Sequence, residues 1–556
     1  MNLTSVRPIW VRDSIVVTIL FFLQIGCSIA QNKLPLIRAS STNVLIKDGY
    51  VIREGIWSLS PEAKPDIYTS VEPITNKSIT FYTDLDSISF KVTPGNTYDF
   101  IILLNQKDTC LTRISTGAMP TNLYTTTRSL IPIPTELLAM DFVVFREVLK
   151  NNHPGLYRYQ TKWKVDKLLD SCLLSIDRPL TQLEFAKKIL FLISAIQDGH
   201  TGTNISSLLM KSYQERTKLV PLYLYFAQNK AFISCSRHKQ FPVGTEILSI
   251  NHKAVSEIRK ELFRYLPSDG SIETKKNHTV TTNGAFPFLY KWIFGHGDSL
   301  VVNYRNRQGK LMTTIVAAQL ARDFECESNS RQSSRKELNL SYPQPNVALL
   351  TIKTFDENRL RRAGLDFKVF LRESFSEISE KKTANLIVDL RGNAGGLDEY
   401  GPLLYSYLTN KSFRYLASVE SISRKFTVSE NRLLSLLPPQ ENNFKGRVFY
   451  LINGLSFSTT VEFCAIAKSN ERGEFIGEET GGGYYGNTSG QTIKIELPHS
   501  RLNVIIPRFK YVNYVKKVSY RDRGVLPDYT ITPTVNDLVQ QTDVQLKFAL
   551  KLVHKN

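Results

Sequence analysis

Three short segments of this sequence carry residue types that could do chemistry at a turn. The first is Asn453-Gly454-Leu455-Ser456-Phe457-Ser458-Thr459-Thr460-Val461-Glu462-Phe463. It follows the apolar run Val448 to Ile452 and leads into a helical pattern through Cys464 and Lys468. A serine at a strand-to-helix turn presents its hydroxyl outward beside a helix N-terminus, where backbone N–H groups can stabilise an oxyanion. The same position also suits an N-cap serine, a purely structural use. The second segment, Asp389-Leu390-Arg391-Gly392-Asn393-Ala394-Gly395-Gly396, follows the β-rich run Asn385 to Leu390. Its glycines allow a tight turn that exposes N–H groups toward a ligand. A structural turn has the same composition, and the dinucleotide-binding and P-loop spacings are absent. The third is Asp198-Gly199-His200-Thr201-Gly202. A serine hydroxyl is a weak nucleophile until a base takes its proton. His200, one of eight histidines, is set in a glycine-flanked turn directly after a helix. No HExxH motif and no Cys/His cluster calls for a metal, so neither metal nor cofactor is expected.

Hydrophobic periodicity predicts the elements that must position these turns. Residues 43 to 115 alternate apolar and polar, as at Ile79, Phe81, Leu85 and at Ile88, Phe90, Val92, the period of half-buried strands in a small sandwich. Pro132-Ile133-Pro134 marks a boundary. Beyond it Phe142, Phe145, Val148 and Leu149 share one helix face. A second helix opens with Thr181-Gln182-Leu183-Glu184, a capping-box pattern, runs through Ile189, Leu192, Ile193 and Ile196, and stops at Asp198-Gly199, with Gly199 suited to a C-cap. Residues 213 to 325 return to strand-like runs such as Val220 to Phe226. Within them Gly244 to Asn251 and His252 to Val255 resemble the strand–turn–helix element of a PDZ domain. Cys326 to Ser341 reads as an exposed linker. In the last two hundred residues, strands at 347–352, 385–390 and 448–452 alternate with helical patterns such as 360–378, which favours crossover connections and a partly parallel sheet. The expected fold class is therefore multidomain α/β with an added β domain. Its parts are a leader at 1–30, a β-sandwich-like domain at 31–130, a helical part at 135–212, a PDZ-like domain at 213–325, a linker at 326–343 and an α/β core at 344–556.

Composition narrows the class further. The chain has 556 residues, with 42% hydrophobic, 22% charged and 11% aromatic, an ordinary globular mixture that excludes collagen-like, low-complexity and wholly disordered chains. The net charge is +19. The lysines and arginines are scattered, without a basic run, zinc-finger spacing or RNP-like motif, so a solvated basic surface is expected and no nucleic-acid partner. Arg7 and Arg12, the apolar stretch Ile15 to Ile25 and the small residues Ser28-Ile29-Ala30 form an export signal too short to span a membrane comfortably. The protein is thus expected to be exported, periplasmic or extracellular. Cys27 after Gly26 also offers a site for lipidation, which would give an outer-membrane lipoprotein held peripherally. The five later cysteines, Cys110, Cys172, Cys235, Cys326 and Cys464, are far apart and odd in number; at most two pairs could form.

Taken together and in this order, the segments resemble peptidase family S41, the tail-specific and tricorn-like serine proteases. Residues 386–396 (LIVDLRGNAGG) look like the family's glycine turn, 453–463 (NGLSFSTTVEF) like its nucleophile segment, and 475–483 (FIGEETGGG) like the stretch after it. Residues 524–528 (GVLPD) look like its late signature, and 198–202 (DGHTG), ahead of the PDZ-like region, like its upstream element. The resemblance covers about residues 135 to 545 and leaves out the β domain before them. It implies that 135–212 and 344–556 together form the peptidase unit. The tail-specific branch pairs its serine with a lysine, but Gly483 stands at that position and the next lysine is Lys494, so a Ser–Lys dyad is not expected. The tricorn-like branch uses serine, histidine and an acid, and His200 fits its histidine. The resemblance thus implies Ser458 as nucleophile, His200 as base and Asp522 as third member, with Glu478 and Glu479 as other candidates for that place and Asp528 belonging to the structural signature. The amide of Thr459 and one from Gly395 or Gly396 would make the oxyanion hole. A histidine near a helix C-terminus and beside a carboxylate is expected to titrate somewhat above about 6.5.

The function so implied is that of an exported serine endopeptidase acting on a polypeptide through an acyl-enzyme. The alternatives are a catalytically silent ligand- or peptide-binding protein on the same fold, and a non-peptidase serine esterase. The PDZ-like element suggests recognition of an extended chain or a C-terminus by strand addition.

Overall fold

The computed structural model describes residues 132–554, apart from 206–214, 228, 237–239 and 325–335, together with the backbone of strands between residues 19 and 115. The chain divides into two compact units, residues 1–131 and 132–556. In the first, an antiparallel six-stranded sheet runs in the order Arg38–Ala39, Ile19–Leu23, Asp108–Ser115, Thr97–Leu104, Pro65–Glu72, Lys77–Tyr82. A three-stranded sheet joins Tyr50–Ile52, Val44–Lys47 and Ile88–Phe90. The leader expected over 1–30 lies outside the described residues except for Ile19–Leu23, whose backbone is that strand. Cys27 and Ser28-Ile29-Ala30 are among the residues not described.

The second unit opens with three helices, α1 (Thr135–Asn152), α2 (Lys162–Leu174) and α3 (Gln182–Ile196). Phe142, Phe145 and Leu149 of α1 and Phe185, Ile189, Leu192, Ile193 and Ile196 of α3 recur at helical spacing and are buried in one core. The N-terminus of α3 carries the capping box: the Thr181 amide donates to Glu184 and the Glu184 amide donates to the Thr181 hydroxyl. Its C-cap is not Gly199, as the sequence suggests, but Gln197, which takes the left-handed conformation with φ 65°. Gly199 is required for a different reason, given below.

An inserted module follows. Its antiparallel sheet has the order β1 (Tyr223–Ala227), β2 (Lys230–Cys235), β3 (Glu246–Ile250), β4 (Ser299–Arg305), β5 (Leu311–Ala317). Helices α4 (Val255–Phe263), α5 (Thr274–Thr281) and α6 (Ala285–Phe294) pack with it around Ile247, Ile258, Phe286 and Val302.

The α/β core has the strand order β6 (Leu338–Gln344), β7 (Val347–Ile352), β8 (Asn385–Asp389), β9 (Arg447–Ile452), β10 (Glu474–Gly477), β11 (Tyr529–Thr530). β6 and β7 form an antiparallel pair, and β7 to β11 are parallel. The second half of the stretch read as a linker is thus an edge strand, β6. Its polar Asn339 and Ser341 fit an edge position, and its ladder to β7 absorbs the backbone groups a linker would leave to solvent. Leu386 to Asp389 and Val448 to Ile452 are continuously buried, as central parallel strands must be. Helices α7 (Phe367–Glu380), α8 (Tyr400–Ser406), α9 (Thr459–Ser469) and α10 (Val544–Val553) cover the sheet, with Phe375, Leu404 and Phe463 in one core and Ala549 in another. A third sheet pairs Asn503–Asn513 with Gly202–Asn204, Leu416–Glu420 and Thr488–Glu496. Its pairing of Gly202 with Ile505 anchors the chain two residues beyond His200. No helix of the described residues is long and apolar enough to cross a membrane.

Candidate active site

The turn between β9 and α9 is held by side chains on both sides. Asn453 Oδ1 accepts the amides of Gly392 and Leu455. Asn393 Oδ1 accepts the amide of Gly395 at 2.9 Å, while its Nδ2 donates to the Ile352 carbonyl and its own carbonyl accepts the amide of Phe457. The glycine turn and the serine turn are thereby fastened to each other. Ser456 is buried; its hydroxyl donates to the Leu390 carbonyl at 2.9 Å and accepts the Asn453 amide, so it is spent on structure. Ser458 is different. It has φ 57° and ψ −130°, outside the helical region, and its side chain caps nothing in α9. A non-glycine residue held there costs of order 1–3 kcal/mol and persists only when its surroundings over-determine it.

His200 Nε2 lies 3.1 Å from Ser458 Oγ. The imidazole stacks on the ring of Phe457, centroid to centroid 4.4 Å at 26°. Its backbone amide is fixed by Asp198, whose Oδ1 also accepts the Thr201 amide and hydroxyl. Behind this turn the buried His153 places Nε2 2.8 Å from the Thr201 hydroxyl and 3.5 Å from Asp198 Oδ2. Burial opposes ionisation of Asp198, but the His153 and His200 rings and the Thr201 hydroxyl hold its carboxyl well below the usual range.

The third member expected from sequence is not in contact with the histidine. Asp522 is exposed, and its backbone carbonyl accepts the amide and hydroxyl of Ser271. Glu479 is bound to Arg523 and the Gly524 amide, and Glu478 Oε2 lies 2.6 Å from the ring of a different histidine, His278. Asp528 binds Lys468 and the Phe475 amide. Among the described residues Nδ1 of His200 is buried without a hydrogen-bond partner. Asp522→Asn is accordingly expected to leave turnover within about twofold of wild type, since exposed polar changes away from a contact rarely exceed a few tenths of a kcal/mol. Steady-state kinetics on that variant checks it.

This arrangement also reverses the titration expected for His200. Burial of the ring is the largest influence and pushes its pKa down, to about 3. Asp198 pulls it up, while Lys275, Arg158 and His153 add to the depression. Part of the residue remains open to solvent, which moderates the effect without changing its sign. The imidazole is therefore neutral at pH 7, the form that can accept a proton.

The oxyanion donors sort themselves by what they already bind. The Gly395 amide is committed to Asn393, which removes it from the pair expected. Gly395 instead gives the serine room: with φ 92°, a Cβ there would lie 2.7 Å from Ser458 Cβ and 3.0 Å from the Thr459 nitrogen. The Gly396 and Thr459 amides donate to no acceptor among the described residues. The two residues are joined by the Thr459 hydroxyl, which donates to the Gly396 carbonyl at 3.1 Å.

Several site residues lie outside what sequence reading singled out. Lys275 of α5 donates from Nζ to the Gly199 carbonyl at 3.0 Å, and Asp269 Oδ1 accepts the Gly199 amide at 2.7 Å. A Cβ on Gly199 would meet Lys275 Nζ at 2.8 Å, Asp269 Oδ1 at 3.0 Å and Phe457 Cε2 at 3.0 Å, which is why glycine stands there. Gly483 donates its amide to Asp269 Oδ2, and a Cβ on it would strike the Tyr159 hydroxyl. Lys494 is exposed on a strand of the third sheet. His, Cys, Asp and Glu groupings fit for a metal ion are absent among the described residues.

The profile of peptidase family S41 matches residues 346–531, the span from the start of β7 to just beyond β11 that contains Ser458. Among solved structures, mature CPAF aligns over 75% of this chain and 96% of its own at 14% identity, with a TM-score of 0.52. Mature CPAF complexed with lactacystin aligns over 76% and 99% at 14% identity, with a TM-score of 0.51. The photosystem II D1 C-terminal processing protease aligns over 73% and 96% at 14% identity, with a TM-score of 0.37. No curated protein sequence matches. Residues 346–531 thus match the serine-peptidase domain of family S41, and the first two likenesses show the same mixed α/β multidomain fold.

Proposed function

We propose that this chain is an exported serine endopeptidase in which Ser458 is the nucleophile and His200 the general base. The single observation carrying this reading is the 3.1 Å approach of His200 Nε2 to the Oγ of a serine held at φ 57°. The neutral imidazole takes the Ser458 proton as Oγ attacks the peptide carbonyl. The carbonyl oxygen, now negative, lies against the amides of Gly396 and Thr459 at the N-terminus of α9. The imidazolium then gives its proton to the leaving amine as the C–N bond breaks, leaving an acyl-enzyme. A water attacks that ester with the same histidine as base, and Ser458 recovers its proton as the acid product departs. No carboxylate holds Nδ1 in this reading; the Phe457 stack and the backbone of the 198–201 turn orient the ring.

A polypeptide substrate suits the surroundings. β1 ends its sheet, and no strand pairs with its outer edge among the described residues. Phe226 and Ala227 at its end line a cavity of about 690 Å³ with Thr274, Asn277 and Leu526. An extended chain could add there as a strand, the role suggested by the PDZ-like sequence. Export is supported by the leader pattern and by the disulfide formed by Cys235, a bond that persists in oxidising compartments.

Turnover of an unfolded protein such as reduced casein tests the reading. New internal N-termini should appear with wild type and not with Ser458→Ala. Hydrolysis of a simple nitrophenyl ester without any casein cleavage would instead favour an esterase, and neither activity a binding protein.

A further inference from the structure

We propose that Lys275 is a positioning residue for His200, acting from the inserted module on the backbone and the ring that fix the imidazole. The inference rests on the Ser458–His200 reading. The Lys275 amine makes two contacts, and each is one step from the base. It donates to the carbonyl of Gly199, the residue before His200, at 3.0 Å. It also sits 3.3 Å from the centroid of Phe457, the ring on which His200 stacks and the residue before Ser458. Asp269, on the loop leading into α5, accepts the amide of the same Gly199 at 2.7 Å, so both polar groups of that residue are held from the segment 269–275. The neighbouring Gly270 amide donates to the Gln197 carbonyl at 3.0 Å, and the amide of Ser271 to that of Asp522. Room for this grip is made by glycines. Besides Gly199, a Cβ on Gly481 would lie 3.3 Å from Lys275 Cβ, and one on Gly454 would run into the backbone of Thr274 and Lys275.

A lysine that merely balanced Asp269 would share part of this geometry. What distinguishes the proposal is its effect on the base. The charged groups facing the amine are Asp269 on its own segment and Asp198 on the turn after α3. His200 faces Asp198, Lys275, Arg158 and His153. Beside them the buried Tyr159 phenol, raised first by burial and then by Asp269, stays neutral. Burial lowers the Lys275 amine to about 8, against the pull of Asp269 and Asp198, so it is charged at neutral pH and depresses proton binding by His200. Removing that charge must make His200 more basic.

The test compares full-length wild type with Lys275→Met, which keeps the stem and loses the amine. Polypeptide turnover is measured across pH. We expect kcat to fall on the order of ten- to a hundredfold, as for a misplaced catalytic group, with KM within about twofold. The rising limb of kcat/KM should move to higher pH, and Lys275→Arg, which keeps the charge, should leave that limb in place. A folded Lys275→Met with an unmoved limb and a kcat within about twofold of wild type overturns the proposal. Should Lys275→Met fail to fold, Lys275→Gln, a shorter neutral side chain, decides. Its kcat should fall and its rising limb move to higher pH as for the methionine variant, and an unmoved limb with a kcat within about twofold of wild type would overturn the proposal. Failure of the underlying reading looks different, because turnover would then survive Ser458→Ala.

Discussion

Ser458→Ala is expected to reduce peptide turnover by roughly 10⁵–10⁶ while leaving the fold intact. The substitution deletes one oxygen whose partner is the His200 ring. It keeps the Cβ against which Gly395 is packed, and the hydroxyl makes no cap to α9, so the helix loses nothing. The positive φ is imposed from outside by the Asn393 and Asn453 bonds and remains. Melting temperature should therefore change little, and substrate binding should survive, since the Gly396 and Thr459 amides and the open edge of β1 are untouched. Single-turnover kinetics with a binding measurement on the same variant checks both halves.

His200→Ala is the second large effect. Turnover should fall on the order of 10⁴ or more, because a serine without a base is almost unreactive at neutral pH. The loss should not add to that of Ser458→Ala in the double variant, since the two residues act as one unit. The pH profile identifies the histidine independently. With its pKa depressed by burial, wild-type kcat/KM should already be on its plateau at pH 6.5 and fall only at distinctly lower pH. The sign for stability is the same. A folded state that binds its proton more weakly than the unfolded chain loses stability as pH falls from the ordinary value of about 6.5 toward about 3. A rising limb centred above 6.5 would mean a histidine paired with a carboxylate, contrary to the bare Nδ1 seen here.

That contrast shows where sequence reading reached and where it stopped. The three turns are legible because each is local: the end of one strand or helix, a short polar turn and the start of the next element leave a pattern within a dozen residues. Their meeting was legible only through family resemblance, since 258 positions separate His200 from Ser458. The capping box at Thr181 is a local code and reads directly, whereas Gly199 was read as a C-cap when its missing side chain serves contacts from two distant segments. Asp522 is implied by the family resemblance alone, and a resemblance in sequence does not say what a carboxylate touches. The direction of the His200 shift was missed for a related reason. Asp198 is adjacent in sequence, but its Oδ1 accepts the amides of His200 and Thr201 and the Thr201 hydroxyl while its Oδ2 faces His153, so the His200 ring gains no hydrogen bond from it, and burial decides. Lys275 and Asp269 left no signal at all, because only the docking of the inserted module brings them to Gly199.

The central claim is that Ser458 is the activated nucleophile. It is tested most directly by labelling the full-length protein with a fluorophosphonate at neutral pH and mapping the modified peptide by mass spectrometry. We expect a single adduct on Ser458 in wild type, none in Ser458→Ala, and a strongly slowed adduct in His200→Ala. Equal labelling of wild type and Ser458→Ala, or an adduct mapped to Ser456 or another residue, would contradict the account.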